Sequence, residues 1–263
     1  MAADAPALVA LVSDVHYGVR YTARATRGLG AYDPAEARAR LRRYADWLVR
    51  RAQQYAFGQA LVVLLGDLTH GPARRRDELA LPPAQQALEL ARELAELAWR
   101  VRVEGAVELA VHAVAGNHDA DGLVLELLAE RLVGLAPLTR HAGGGWLEAA
   151  GHWLYAAHGD AVRHPRELPR YAEAIAHSYG RVPHAVLLGH LHQPRLQGST
   201  WGGQLVVNGS VCGPAPYAVR RGLPADRPCQ LALVVEPALG LTDCYRCLLT
   251  PAPPCAAGSG AVG

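Results

Sequence analysis

The sequence predicts an α/β layered domain, and three observations carry that prediction. Apolar runs of strand length recur along the chain, the early ones alternate with helical stretches, and several stop abruptly at a glycine, an acid or an imidazole. The runs are 7–14 (ALVALVSD), 60–67 (ALVVLLGD), 107–119, 152–160, 184–192, 203–210 and 230–237. They are continuous rather than alternating, as expected of strands covered on both faces.

Asp33-Pro34-Ala35-Glu36 opens a first helix, with an acid as cap, proline at the first helical position and glutamate in the capping-box place. Leu41, Tyr44, Ala45, Leu48 and Tyr55 then fall on one face. Pro82 and Pro83 open a second helix, whose Leu90, Leu94, Leu97 and Val101 keep the same period. Asp121 is expected to cap a third helix running through Leu132, and residues 165–179 read as a fourth. Strands alternating with helices, then mostly strands, give an α/β architecture. Residues 1–250 read as one domain; the tail 251–263 (PAPPCAAGSGAVG) is too rich in Pro, Gly and Ala to pack and is expected to be disordered.

At 263 residues the chain can bury a substantial core. No apolar run approaches the roughly 20 residues needed to cross a bilayer. The N-terminus lacks the basic start and cleavage site of a signal peptide, so a cytoplasmic protein with no membrane partner is expected. All 26 basic residues are arginine, yet the formal charge is only +2. Nine arginines from Arg20 to Arg51, set against Asp33, Glu36 and Asp46, leave a local +6 that could face phosphate. The five cysteines run from Cys212 to Cys255, and an odd count argues against a disulfide framework. Cys244 and Cys247 form a C-x-x-C with no second pair at zinc-finger spacing, so they read as structural thiols.

In open α/β sheets, ligands collect beyond the carboxyl ends of the strands. Those ends carry Asp14 and His16; Gly66-Asp67; Gly116-Asn117-His118-Asp119; His158-Gly159-Asp160; and Gly189-His190-Leu191-His192. A single GD or GNH marks an ordinary turn. Five such endings in order, each after an apolar run, point to a shared centre. Imidazoles, carboxylates and one carboxamide, with no cysteine, suit Mn, Fe, Zn or similar divalent ions. Seven candidate ligands exceed the needs of one tetrahedral ion and match two ions sharing a carboxylate. Such a pair, about 3.5–4 Å apart, can clamp a phosphoryl group and activate a water.

The ordered set D-x-H, G-D, G-N-H-D, H and G-H-x-H, spanning residues 14–192, resembles the calcineurin-like metallophosphoesterase superfamily. That resemblance implies a four-layer αββα sandwich, two mixed β-sheets flanked by helices, with two divalent metal ions at the strand ends. Carried over by motif, Asp14, His16 and His192 would bind one ion, Asn117, His158 and His190 the other, and Asp67 would bridge them. A metal-bridging hydroxide would attack phosphorus, while His118 protonates the departing oxygen and Asp119 orients its ring. Manganese is the first expectation, with Fe, Zn or Ni as alternatives. The substrate would be a phosphodiester or phosphomonoester of a small molecule, nucleotide or nucleic acid. His70 and Arg20 are candidate substrate contacts.

Ser13 is expected to pack behind Asp14 and His112 to be structural; His141, His152, His164, His177 and His184 match no motif. Residues 206–218 (VVNGSVCGPAPYA) and 228–240 resemble a phage-type subgroup of the superfamily. SDVHYG and GDLTHG also resemble the double-strand-break repair nucleases, which makes a DNA exo- or endonuclease the alternative function. Weak net charge and the lack of a DNA-capping region argue against it. A non-catalytic scaffold is a third reading, opposed by the complete ligand set. Substrate choice is expected to reside in loops 17–32, 68–82 and 211–228.

Overall fold

Alternate residues of the first strand face two different cores. In β1 (Ala7–Val12), Leu8, Ala10 and Val12 point to one core while Ala7, Val9 and Leu11 point to another. That double burial explains the unbroken apolar run. The protein is described from a computed structural model over residues 5–72, 78–119, 122–162, 164–178, 180–223 and 226–251.

The remaining strands are β2 (Gln59–Leu64), β3 (Leu109–Val114), β4 (Leu138–His141), β5 (Gly144–Ala149), β6 (His152–Ala157), β7 (Ala185–Leu188), β8 (Arg195–Gly198), β9 (Gln204–Val207), β10 (Cys229–Glu236) and β11 (Gly240–Leu248). One sheet has the order β11-β10-β1-β2-β3-β4, parallel from β1 to β4, with β10 and β11 antiparallel. The other has the order β5-β6-β7-β9-β8, with β6, β7 and β9 parallel between antiparallel edges. Helices α1 (Pro34–Gln54), α2 (Pro83–Trp99) and α3 (Leu123–Leu132) cover the first sheet, and α4 (Leu168–Ser178) covers the second. Between the sheets, Val9, Leu11, Leu61, Val63, Leu154, Leu187, Val206 and Leu233 form the central core. Two mixed sheets flanked by helices is the expected sandwich.

Asp33 caps α1 by accepting from the Glu36 N–H at 2.9 Å, and Pro34 is the first helical residue. Tyr55 departs from expectation: the helix ends at Gln54, and Tyr55 turns into an extended conformation with its ring exposed. After α2 the chain continues through a wider π-helical segment, Arg100–Glu104, which keeps Val101 buried. Gly122, in the left-handed conformation, precedes α3. Asp121, the expected cap, lies outside the described residues, as do residues 252–263 of the expected tail.

Cys244 and Cys247, three apart on β11, face opposite sides of the sheet. Cys244 packs against the central core and Cys247 lies in the helix-side core, so they do not converge on one ion. Burial pushes their thiols up to about 11 and about 12. Among the described residues no helix is long and apolar enough to cross a membrane.

Candidate metal centre

β1, β2, β3, β6 and β7 end at one edge of the sandwich, and the turns that follow bring the motif residues together. Asp14 and His16 follow β1, Asp67 follows β2, Asn117 and His118 follow β3, His158 follows β6, and His190 and His192 follow β7. Of the eight non-glycine residues with positive φ among the described residues, five are in this set: Asp14, His16, Asp67, His190 and His192. Left-handed backbone is uncommon outside glycine, and it concentrates at functional sites held by the surrounding fold. Here that fold is the register of the parallel strands: Asp14 N–H donates to the Gly66 carbonyl and His16 N–H to the Asp67 carbonyl, each at 3.0 Å. Gly66, at φ +86, admits a close approach; a β-carbon there would lie 2.7 Å from His158 Nδ1.

Two donor sets meet at Asp67. Its Oδ2 lies 3.7 Å from His16 Nε2, and its Oδ1 lies 3.3 Å from His158 Nε2. On the first side, His192 Nε2 is 3.2 Å from Asp14 Oδ1 and 3.4 Å from His16 Nε2. On the second, His158 Nε2 is 3.3 Å from Asn117 Oδ1 and 3.2 Å from His190 Nδ1. His158 is oriented from behind, its Nδ1–H donating to the Leu65 carbonyl at 2.7 Å, which leaves Nε2 for the centre.

Too many imidazoles share too few carboxylates for all to hold protons. Burial alone would raise both acids, yet His192 beside Asp14 and His158 beside Asp67 hold them below the usual carboxylate range. Burial opposes the charge on His158, but the Asp67 carboxylate carries it up to about 9. Likewise Asp14 and Cys212 hold His192 well above its ordinary value against burial. His16 is pushed by burial down to about 3, and His190 is lowered by burial and by His158. Divalent cations fit this arrangement. Asp14 Oδ1 is buried with only the His192 ring beside it, and the converging oxygens and imidazole nitrogens form a hard-to-borderline donor set.

Residues 7–219 match the family model described as Calcineurin-like phosphoesterase. The chain belongs to that family. It is a metal-dependent phosphoester hydrolase, from a family that works with paired metal ions. Among solved structures, an archaeal phosphodiesterase is similar at 12% identity and TM-score 0.46, covering 92% of this chain and 99% of its own. A dimetal phosphatase from Danio rerio is similar at 14% identity and TM-score 0.47, covering 94% of this chain and 100% of its own. No curated protein matches the sequence.

In this calcineurin-like phosphoesterase the remaining candidates divide. His118 stands against the cluster, its ring 4.8 Å from that of His16, its backbone N–H donating to Asp67 Oδ1 at 3.0 Å. Asp119 does not orient that ring. Its carboxylate accepts from the N–H groups of Leu68, Thr69 and Gly116 and from the Thr69 hydroxyl, tying the GD turn to the GNHD turn. Instead, His118 Nδ1 lies 3.1 Å from the His70 carbonyl. His70 stacks on His118 at 5.2 Å, and its buried Nδ1 has no partner. Burial, then the nearby His118, push His70 down to about 4. Arg20 is exposed.

Several supports carried no motif. Ser13 lies in a buried network: its N–H donates to Gln230 Oε1, its hydroxyl to the Gly209 carbonyl, and Asn208 donates to it. Arg40, read as surface charge, is 4% exposed and donates to the Val211 and Cys212 carbonyls. Ser13 packs behind Asp14 as expected, whereas nothing in the arginine-rich sequence of α1 set Arg40 apart as its one buried arginine.

Proposed function

We propose that the protein hydrolyses small phosphodiesters or phosphomonoesters with two divalent cations, manganese foremost. Asp14, His16 and His192 would hold one cation and Asn117, His158 and His190 the other, with Asp67 between them. The observation that carries this reading is the division of Asp67, whose two oxygens face two separate donor sets. When bound, the cations would supply Lewis acidity and lower the pKa of a coordinated water.

The chain's own residues do the rest. His118 is the proton donor to the leaving oxygen: the His70 carbonyl takes Nδ1–H, so Nε2 is the nitrogen that exchanges its proton with the substrate. Asp119 acts through the backbone, fixing the turn that carries Asn117 and His118. His70, stacked on His118 at 5.2 Å, remains a candidate substrate contact.

A nuclease is the weaker reading, because four of the nine arginines from Arg20 to Arg51 are engaged within the fold. Arg40 is buried, Arg38 and Arg42 pair with Glu89 and Glu93, and Arg51 lies over Trp47 and Tyr245. A cytoplasmic location is supported by the free thiols of Cys212, Cys229, Cys244 and Cys247.

The test is to count bound metal in purified protein and compare turnover of a chromogenic phosphodiester, a phosphomonoester and single-stranded DNA with added manganese. Two ions per chain with manganese-dependent turnover of the small esters is the expected result. Turnover confined to DNA would favour the nuclease, and turnover insensitive to chelation would remove the metal mechanism.

A further inference from the structure

Cys212 is not among the candidate ligands, yet its sulfur lies 3.8 Å from His192 Nδ1. The other ring nitrogen, Nε2, is 3.2 Å from Asp14 Oδ1 and 3.4 Å from His16 Nε2. The two nitrogens of His192 therefore have separate partners, one toward the candidate cation and one toward sulfur. The thiol hydrogen has its own acceptor, the Gly213 carbonyl at 3.4 Å. With its hydrogen on that carbonyl the sulfur accepts from Nδ1–H, so Nε2, facing Asp14, is the nitrogen that would give up its proton to a metal.

The backbone fixes that sulfur relative to the ligands. Cys212 N–H donates to the Asp14 carbonyl at 3.2 Å. The Cys212 carbonyl accepts from Arg40 Nη1 at 2.9 Å and from the Tyr21 hydroxyl at 3.0 Å. Arg40 is anchored in turn, donating from Nε to Glu36 at 2.8 Å and from Nη1 to the Val211 carbonyl at 2.8 Å. Cys212 is 3% exposed, so no water competes freely for the Nδ1–H. Metal-bound histidines generally hand their second N–H to a carboxylate, a carbonyl or water, and this partner sets ring orientation and metal affinity. A thiol stands in that place here.

We propose that Cys212 is the positioning residue of His192, its sulfur taking the Nδ1–H and turning Nε2 toward Asp14 and His16. This rests on the two-cation reading above. It is tested on the full chain with Cys212→Ala, which removes the acceptor, and Cys212→Ser, which restores a shorter one. Two quantities are read: the solvent exchange of the His192 Nδ1–H signal in zinc-loaded protein with 15N-labelled histidine, and the manganese affinity of each site by titration.

In the parent protein the signal exchanges slowly. Cys212→Ala should expose it and weaken one of the two manganese sites by roughly 10–100-fold, leaving the other unchanged, and Cys212→Ser should recover most of the loss. Cys212→Ala with a lower melting temperature but an unchanged signal and both affinities intact would reduce the residue to packing and overturn the proposal. A parent protein that takes up neither zinc nor manganese would instead overturn the two-cation reading.

Discussion

Gly116 passes so close to Asp67 that a β-carbon at position 116 would fall 2.2 Å from both the Asp67 backbone nitrogen and its Oδ1. The turns after β2 and β3 meet with only hydrogen between them. Gly116→Ala must therefore displace the one carboxylate that faces both donor sets. The expected cost is about 1–3 kcal/mol of stability, as for other overpacked sites, together with loss of metal from both positions. Melting temperature and metal content measured on one sample check this; full metal content would contradict it.

Asp67→Asn keeps the shape and removes the charge. Because Oδ1 and Oδ2 face His158 and His16 respectively, both manganese affinities should fall together. Titration resolving two sites decides the matter, and a variant that weakens only one site would show that Asp67 serves a single ion.

His118→Asn should leave the metal content intact, since its ring stands beside the ligand set. Turnover should slow by roughly 10²–10⁴-fold for an alkyl leaving group that needs a proton. The loss should shrink for a nitrophenyl leaving group, which departs unprotonated. Equal slowing for both classes would remove the acid role.

His112 offers a pH signature independent of the centre. Its ring lies parallel to that of His141 at 5.6 Å, and burial, then His141, push it down to about 4. An unfolded histidine titrates near 6.5, so between those values the unfolded chain holds a proton that the folded chain refuses. Stability from this source is intact above about 6.5 and is lost as pH falls toward about 4. Urea unfolding midpoints across that range should fall less steeply in His112→Gln than in the parent; parallel curves would count against the assignment.

The layers and the clustering of the candidate ligands were legible because each rests on short-range signals. Leu8, Ala10 and Val12 on one face, with Ala7, Val9 and Leu11 on the other, left a run without polar positions, and five of the seven apolar runs ended in a motif. Strands without that double burial gave no signal. β8 is exposed throughout, β4 is a half-exposed edge, β5 alternates, and β11 carries the exposed Thr242, Asp243 and Arg246. Asp119 looked like a ring partner because it neighbours His118, yet a turn sends adjacent side chains apart, and its oxygens found backbone N–H groups instead. Arg40 and Cys212 act across 172 positions of sequence, a distance over which spacing says nothing.

The left-handed backbone at Asp14, His16, Asp67, His190 and His192 means that function and thermal hardiness pull against each other in this molecule. Each such residue costs about 1–2 kcal/mol relative to glycine, and the cost recurs whether or not cations are present. Glycine at 16 or 192 would relieve that cost while removing a candidate ligand, so such a variant should melt higher and hold metal less tightly.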